Sequence, residues 1–201
     1  MQIQAFSVGI LLTNCYVASC PETKEAIIID PGFDTPEEVE RILRYVDSNK
    51  LKVKFIANTH GHSDHIQGDK ILKREYSVPI CIHPYDAPCL EGLGEDISPA
   101  NVLVEDNKLL KFGKMTLRVM YTPGHSLGSI SLVGDNLVFT GDTLFAGGIG
   151  RTDFQGGSDC DIKVSLAKLM RLPDDFVVYP GHGGFSIIGK EKRINPFLLW
   201  L

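Results

Sequence analysis

The chain has 201 residues, 43% hydrophobic and 22% charged, a composition that supports a buried core and argues against disorder. Its formal net charge of -5 argues against a nucleic-acid binder, which would show a basic surface. No apolar run reaches the length of a membrane span, so neither nucleic acid nor membrane is an expected partner.

The opening MQIQAFSVGI has no basic n-region, apolar h-region or small-residue cleavage site, so no export signal is read there. Short runs rich in β-branched or aromatic residues follow, bounded by Gly, Pro, Asn or Asp. They predict strands over 26–29, 53–58, 115–121, 129–133, 137–140 and 176–179. Between them, residues 36–49 place Val39, Ile42, Leu43 and Val46 on one helical face, with Thr35 and Glu38 positioned for a capping box. A short helix is expected after His65. Another over 161–172 carries Ile162, Leu166, Leu169 and Met170 on one face, and a last one covers 187–194. Strands interleaved with helices, and no Pro/Gly/Ser-rich linker, predict one layered α/β domain over 1–201. The C-terminal FLLWL is expected to pack against it. Cys15, Cys20, Cys81, Cys89 and Cys160 form an odd set without Cys-x-x-Cys spacing. They are expected to be reduced thiols, with the cytoplasm as location.

The chemistry concentrates where predicted strands end. Thr59-His60-Gly61-His62-Ser63-Asp64-His65 follows the strand at 53–58 and holds three imidazoles and a carboxylate within six residues. Such polar groups are costly to bury without a partner, and a metal ion is the partner they suit. His60 and His62 alternate along an extended stretch, so both can point one way, while a turn into a helix directs Asp64 and His65 to a second point. His125 lies in Pro123-Gly124-His125, Asp142 in Gly141-Asp142-Thr143, and His182 in Pro180-Gly181-His182, each just after a predicted strand. Strand-end loops commonly build sites in layered α/β proteins. Imidazole and carboxylate without thiolate suit zinc, iron or manganese. Asp142 is the candidate bridge between two ions. His83, in Ile82-His83-Pro84, has no such context and is read as structural.

With these segments in this order, the sequence resembles the metallo-β-lactamase fold superfamily. The likeness rests on Asp30-Pro31-Gly32, the His-x-His-x-Asp-His run, Pro-Gly-His-Ser, Gly-Asp-Thr-Leu-Phe and Pro-Gly-His-Gly. The resemblance implies a four-layer αββα sandwich with two divalent metal ions, zinc first among them, at one edge. It implies that His60, His62 and His125 hold one ion, Asp64, His65 and His182 the other, and Asp142 both, with Asp30 supporting the ligands. Asp64 and Asp142 are also the candidate catalytic residues.

Within the superfamily the sequence looks most like short glyoxalase II-type hydroxyacylglutathione hydrolases. Residues 141–154, GDTLFAGGIGRTDF, and the tail 188–197, IGKEKRINPF, carry that likeness. It implies hydrolysis of a small-molecule thioester by a hydroxide formed at the metals. Long glyoxalase II enzymes add a C-terminal helical domain that supplies much of the glutathione site, and no counterpart is expected here. Arg151, just after a glycine-rich loop, is the candidate for holding a substrate carboxylate. Persulfide dioxygenases are also similar around residues 150–154 and imply a single iron on His60, His125 and Asp142. A lactonase, phosphodiesterase or other hydrolase on the same scaffold, and a metal-binding protein without catalysis, are the remaining readings.

Overall fold

The computed structural model describes residues 1–93 and 102–199. Two six-stranded sheets form its centre. The first runs, in spatial order, β1 (Gln2–Val8), β2 (Thr13–Ser19), β3 (Glu25–Ile29), β4 (Lys52–Ala57), β5 (Ile80–Ile82) and β6 (Val102–Leu103). The second runs β12 (Ser186–Ile187), β11 (Val177–Pro180), β10 (Leu137–Gly141), β9 (Ile130–Val133), β8 (Met115–Tyr121) and β7 (Leu109–Phe112).

Period-two alternation sorts each strand between two apolar layers. In the first sheet Tyr16, Ala18, Ile27 and Ile29 face the second sheet and meet Leu117, Val119, Leu132 and Phe139. The alternate residues Cys15, Val17, Ala26 and Ile28 face outward onto Ile42 and Val46 of α1 (Pro36–Ser48), Ile66 of α2 (Ser63–Ile66) and Leu72 of α3 (Asp69–Tyr76). On the far side Met120, Val133, Val138 and Val178 pack against Ile162, Leu166 and Leu169 of α4 (Asp159–Leu169) and Ile188 of α5 (Ile188–Ile194). Three apolar layers separate four structural ones, which is the expected αββα sandwich. Each fully buried Ile or Leu contributes about 1.5–3 kcal/mol to holding the layers together.

The capping box at α1 is present, with Thr35 accepting from the Glu38 amide and the Glu38 side chain accepting from the Thr35 amide. α4 begins earlier than the apolar pattern suggests, because Ser158 caps it by accepting from the Asp161 amide. The helix expected after His65 is α3, and the separate one-turn α2 precedes it, with Asp64 and His65 on that turn. β1, β2, β5, β6, β7 and β12 have no counterpart in the predicted strands. β2 is buried along all seven residues and offers no alternation to read. At the C-terminus Leu198 is buried, Phe197 is half-exposed and Leu199 is exposed. Trp200 and Leu201 lie outside the described residues. All five cysteines are free. Among the described residues no helix is long and apolar enough to cross a membrane.

Candidate metal centre

β4 is parallel to β3, and β10 is parallel to β11. β8 and β10 are both antiparallel to β9 and therefore run the same way. The loops leaving these strands carry Asp30 after β3, the His60–His65 run after β4, His125 after β8, Asp142 after β10 and His182 after β11. Backbone bonds tie the two sheets together at this edge: the Asn14 amide donates to Gly181 O at 2.7 Å and the Ile130 amide to Thr59 O at 2.8 Å. The local backbone leaves no slack. A Cβ on Gly32 would lie 1.5 Å from Asp64 O, and one on Gly181 would lie 2.1 Å from Asp142 Oδ1.

The structure brings all seven ligand candidates to one place, in two adjoining groups. In the first, His62 Nδ1 lies 3.1 Å from His60 Nε2 and 2.9 Å from His125 Nε2. In the second, Asp64 Oδ2 lies 3.4 Å from His65 Nε2 and 3.3 Å from His182 Nε2, and these two nitrogens are 3.4 Å apart. Asp142 stands between the groups. Its Oδ1 is 3.5 Å from His65 Nε2, and its Oδ2 is 3.5 Å from His125 Nε2 and 3.4 Å from His182 Nε2. Each of the sets His60–His62–His125, His60–His65–Asp142 and Asp64–His65–His182 offers ligand atoms within 4.8 Å of one another.

The outward nitrogens fix what faces inward. His125 Nδ1 donates to Arg151 O at 2.8 Å and His182 Nδ1 to Leu11 O at 3.1 Å, since a carbonyl can only accept. Thr59 Oγ1 donates to Asp30 Oδ2 at 2.7 Å, and His60 Nδ1 lies 3.2 Å from that hydroxyl with its lone pairs left to accept. His65 Nδ1 makes an ion-pair contact with Asp30 Oδ2 at 3.1 Å, without the alignment of a hydrogen bond. In this pattern Nε2 of His60, His65, His125 and His182 faces the centre, joined by Nδ1 of His62.

Electrostatics and satisfaction both favour a cation here. Burial and the neighbouring imidazoles hold His60 well below the ordinary histidine range, so it is neutral. Burial works against the charged form of His182 too, but hydrogen bonds and charge from Asp142 and Asp64 outweigh it and push its pKa up to about 10. The two carboxylates thus draw positive charge to the point where uncharged nitrogens converge. Asp142 Oδ1 is fully buried and makes no hydrogen bond, so it lacks the partner that buried polar atoms nearly always have and that an ion would supply. Imidazole and carboxylate donors at these spacings fit divalent transition metals.

Asp30 sits behind the cluster in the left-handed region, at φ 51°, and accepts from the Thr59 amide and hydroxyl at 2.7 Å each. Arg151 supports His125 through its carbonyl. Its guanidinium is exposed, pairs with Asp153 through Nε at 2.6 Å and Nη2 at 2.7 Å, and lies 3.9 Å over the Phe154 ring. The structural reading of His83 agrees with its place: it is buried and stacks on Tyr121 at 4.5 Å. Two supports were not read from the sequence. Thr13 Oγ1 donates to Asp64 Oδ2 at 2.9 Å, and the buried Asp86 ties down the loops around His62 and His125. A cavity of about 530 Å³ opens beside His62, walled by Tyr85, Asp86, Cys89, Leu127 and Phe154.

The sequence profile of the Metallo-beta-lactamase superfamily matches residues 8–182, a span that holds every ligand candidate. The chain belongs to the metallo-β-lactamase superfamily. An uncharacterized Mycobacterium leprae member is 38% identical over 98% of this chain and 99% of its own length. Hydroxyacylglutathione hydrolase GloC of Haemophilus influenzae is 34% identical over 98% of each chain. The human mitochondrial persulfide dioxygenase ETHE1 is 32% identical over 92% of this chain and 71% of its own. Among solved structures, the BLEG-1 B3 metallo-β-lactamase superposes with a TM-score of 0.87 at 33% identity, covering 98% of this chain and all of its own. TTHA1623, solved in a di-iron-bound form, gives 0.85 at 31% identity, covering 97% of this chain and all of its own. As in metallo-β-lactamase proteins generally, a His/Asp cluster suited to divalent metals stands at the edge of the sandwich.

Proposed function

We propose that this metallo-β-lactamase-fold chain is a binuclear metal-dependent thioester hydrolase of the hydroxyacylglutathione hydrolase type. The observation that carries the reading is the pair of ligand groups spanned by Asp142. His60, His62 and His125 would hold one ion and Asp64, His65 and His182 the other, with the Asp142 carboxylate placed to serve both. The donor set favours zinc, with iron or manganese as alternatives. When bound, the ions supply a hydroxide nucleophile near neutral pH and stabilise charge on a carbonyl oxygen. The chain's own residues set the geometry: Asp30, the Arg151 carbonyl and the Leu11 carbonyl hold the imidazoles in place.

What the carboxyl groups are free to do supports a thioester over an amide substrate. Asp64 and Asp142 face the ligand nitrogens, and Asp86 accepts from three donors. None is left to protonate a departing amide nitrogen. A thiol, with an ordinary pKa of about 8.5, departs as thiolate without a proton donor. Arg151 takes a substrate carboxylate by exchanging it for Asp153, since solvent screening leaves an exposed pair of that kind easy to exchange. The reading takes a small-molecule thioester as partner rather than nucleic acid or membrane, and a cytoplasmic location.

The likeness to persulfide dioxygenase ETHE1 supports a second reading, a single iron on His60, His125 and Asp142. Parallel assays separate the two. The thioesterase reading expects free thiol from S-lactoylglutathione or a non-glutathione thioester, and no oxygen uptake with glutathione persulfide. Oxygen uptake with persulfide and inert thioesters would reverse the assignment.

A further inference from the structure

Asp86 lies on the loop after β5, is 5% exposed, and has no place in the ligand set. Its carboxylate spans two loops. Oδ2 accepts from the Gly61 amide at 2.9 Å, and Gly61 stands between the ligand candidates His60 and His62. The same oxygen accepts from Ser126 Oγ at 2.7 Å, and Ser126 follows the ligand candidate His125. Oδ1 accepts from the Gly128 amide at 2.8 Å. Ser129 Oγ reinforces the turn, 2.7 Å from Ser126 Oγ and accepting from the Ser126 amide at 3.1 Å.

The fit is close: a Cβ on Gly128 would lie 2.5 Å from Asp86 Cγ. Asp86 is itself anchored. Its amide donates to His83 O at 3.0 Å, and His83 stacks face to face on Tyr121 of β8. The second ligand group has separate supports, Thr13 on Asp64, Asp30 on His65 and Leu11 O on His182.

We propose that Asp86 is a positioning residue of the first ligand group, acting beside the Arg151 carbonyl that holds His125. It fixes the His60–His62 loop against the His125 loop, and so sets that group's metal affinity without setting the second group's. The inference rests on the two-ion reading above. Asparagine at this position turns an NH2 towards at least one of the three donors, so Asp86→Asn breaks the clamp with almost no change in volume.

The test is zinc titration of the full chain against a chromophoric chelator, in wild type, Asp86→Asn, Ser126→Ala and His62→Ala. Removing a support of this kind typically costs about 10–100-fold in metal affinity. Asp86→Asn is expected to weaken, by that factor, the one site that His62→Ala abolishes, and to leave the other within about threefold. Ser126→Ala is expected to shift the same site less, and it decides the matter if circular dichroism shows Asp86→Asn unfolded. Two sites of wild-type affinity, or two sites weakened alike, would overturn the proposal. A wild-type chain that takes up no zinc is a different failure and removes the two-ion reading itself.

Discussion

Asp142→Ala is expected to strip the chain of both metal ions and lower kcat/KM for a thioester by at least about a thousandfold. No other described side chain touches both ligand groups through separate oxygens: Oδ1 approaches His65, and Oδ2 approaches His125 and His182. Its loss leaves the first group with three imidazoles and no charge, and the second with a single carboxylate on Asp64. Burial raises the cost of the Asp142 carboxylate, yet His65, His182 and His125 hold its pKa below the ordinary range, so the negative charge is built into the site. Two neighbouring cations would repel one another in a low-dielectric interior, and the Asp142 charge would offset that repulsion. Metal content and thioester hydrolysis measured on one preparation check the expectation. A folded variant that keeps two equivalents of metal and full activity would remove Asp142 from the centre.

Asp30→Ala has the largest expected effect on stability. The side chain is 1% exposed and accepts the Thr59 amide and hydroxyl while contacting His65. Alanine leaves a buried amide and a hydroxyl without their acceptor and removes the carboxylate beside the His65 imidazole, a loss of about 3–5 kcal/mol. It also tolerates the left-handed backbone at φ 51° less well than aspartate, which visits that region more readily. For a chain of this size the loss corresponds to a fall in Tm of roughly 6–20 °C. Asp30→Asn keeps one acceptor and the backbone preference, and is expected to fall between alanine and wild type. Thermal unfolding of the chelator-treated proteins separates this effect from metal binding. A Tm for Asp30→Ala within about 2 °C of wild type would mean that the Thr59 and His65 contacts carry no stability.

The legible and the hidden parts of the site differ in kind. His60, His62, Asp64 and His65 stand out because their residue types are rare in such density and because a strand pattern precedes them. His125, Asp142 and His182 stand out through the Gly and Pro that let their turns approach closely. What holds them is mostly invisible in sequence. The carbonyls of Arg151 and Leu11 are backbone atoms, which any residue could supply. Thr13 and Asp86 are ordinary polar residues whose roles depend on partners 51 and 25 to 42 positions away.

The same division runs through the fold. α1 announces itself by apolar spacing and a capping box. β2, buried on both faces between α1 and the second sheet, shows neither alternation nor a long apolar run, and its mixed TNCYVAS reads as nothing in particular. Arg151 invites a substrate role from its place after a glycine-rich loop. The Asp153 that pairs with it was equally visible in sequence, but their bidentate geometry was not.

The central claim is that seven side chains from four strand-end loops surround two cations. Anomalous diffraction at the zinc edge from a zinc-loaded crystal tests it most directly. Two peaks are predicted, one within His60, His62 and His125, the other within Asp64, His65 and His182, with the Asp142 carboxylate reaching both. A single peak elsewhere on the surface, or ligand side chains turned away from any density, would contradict it.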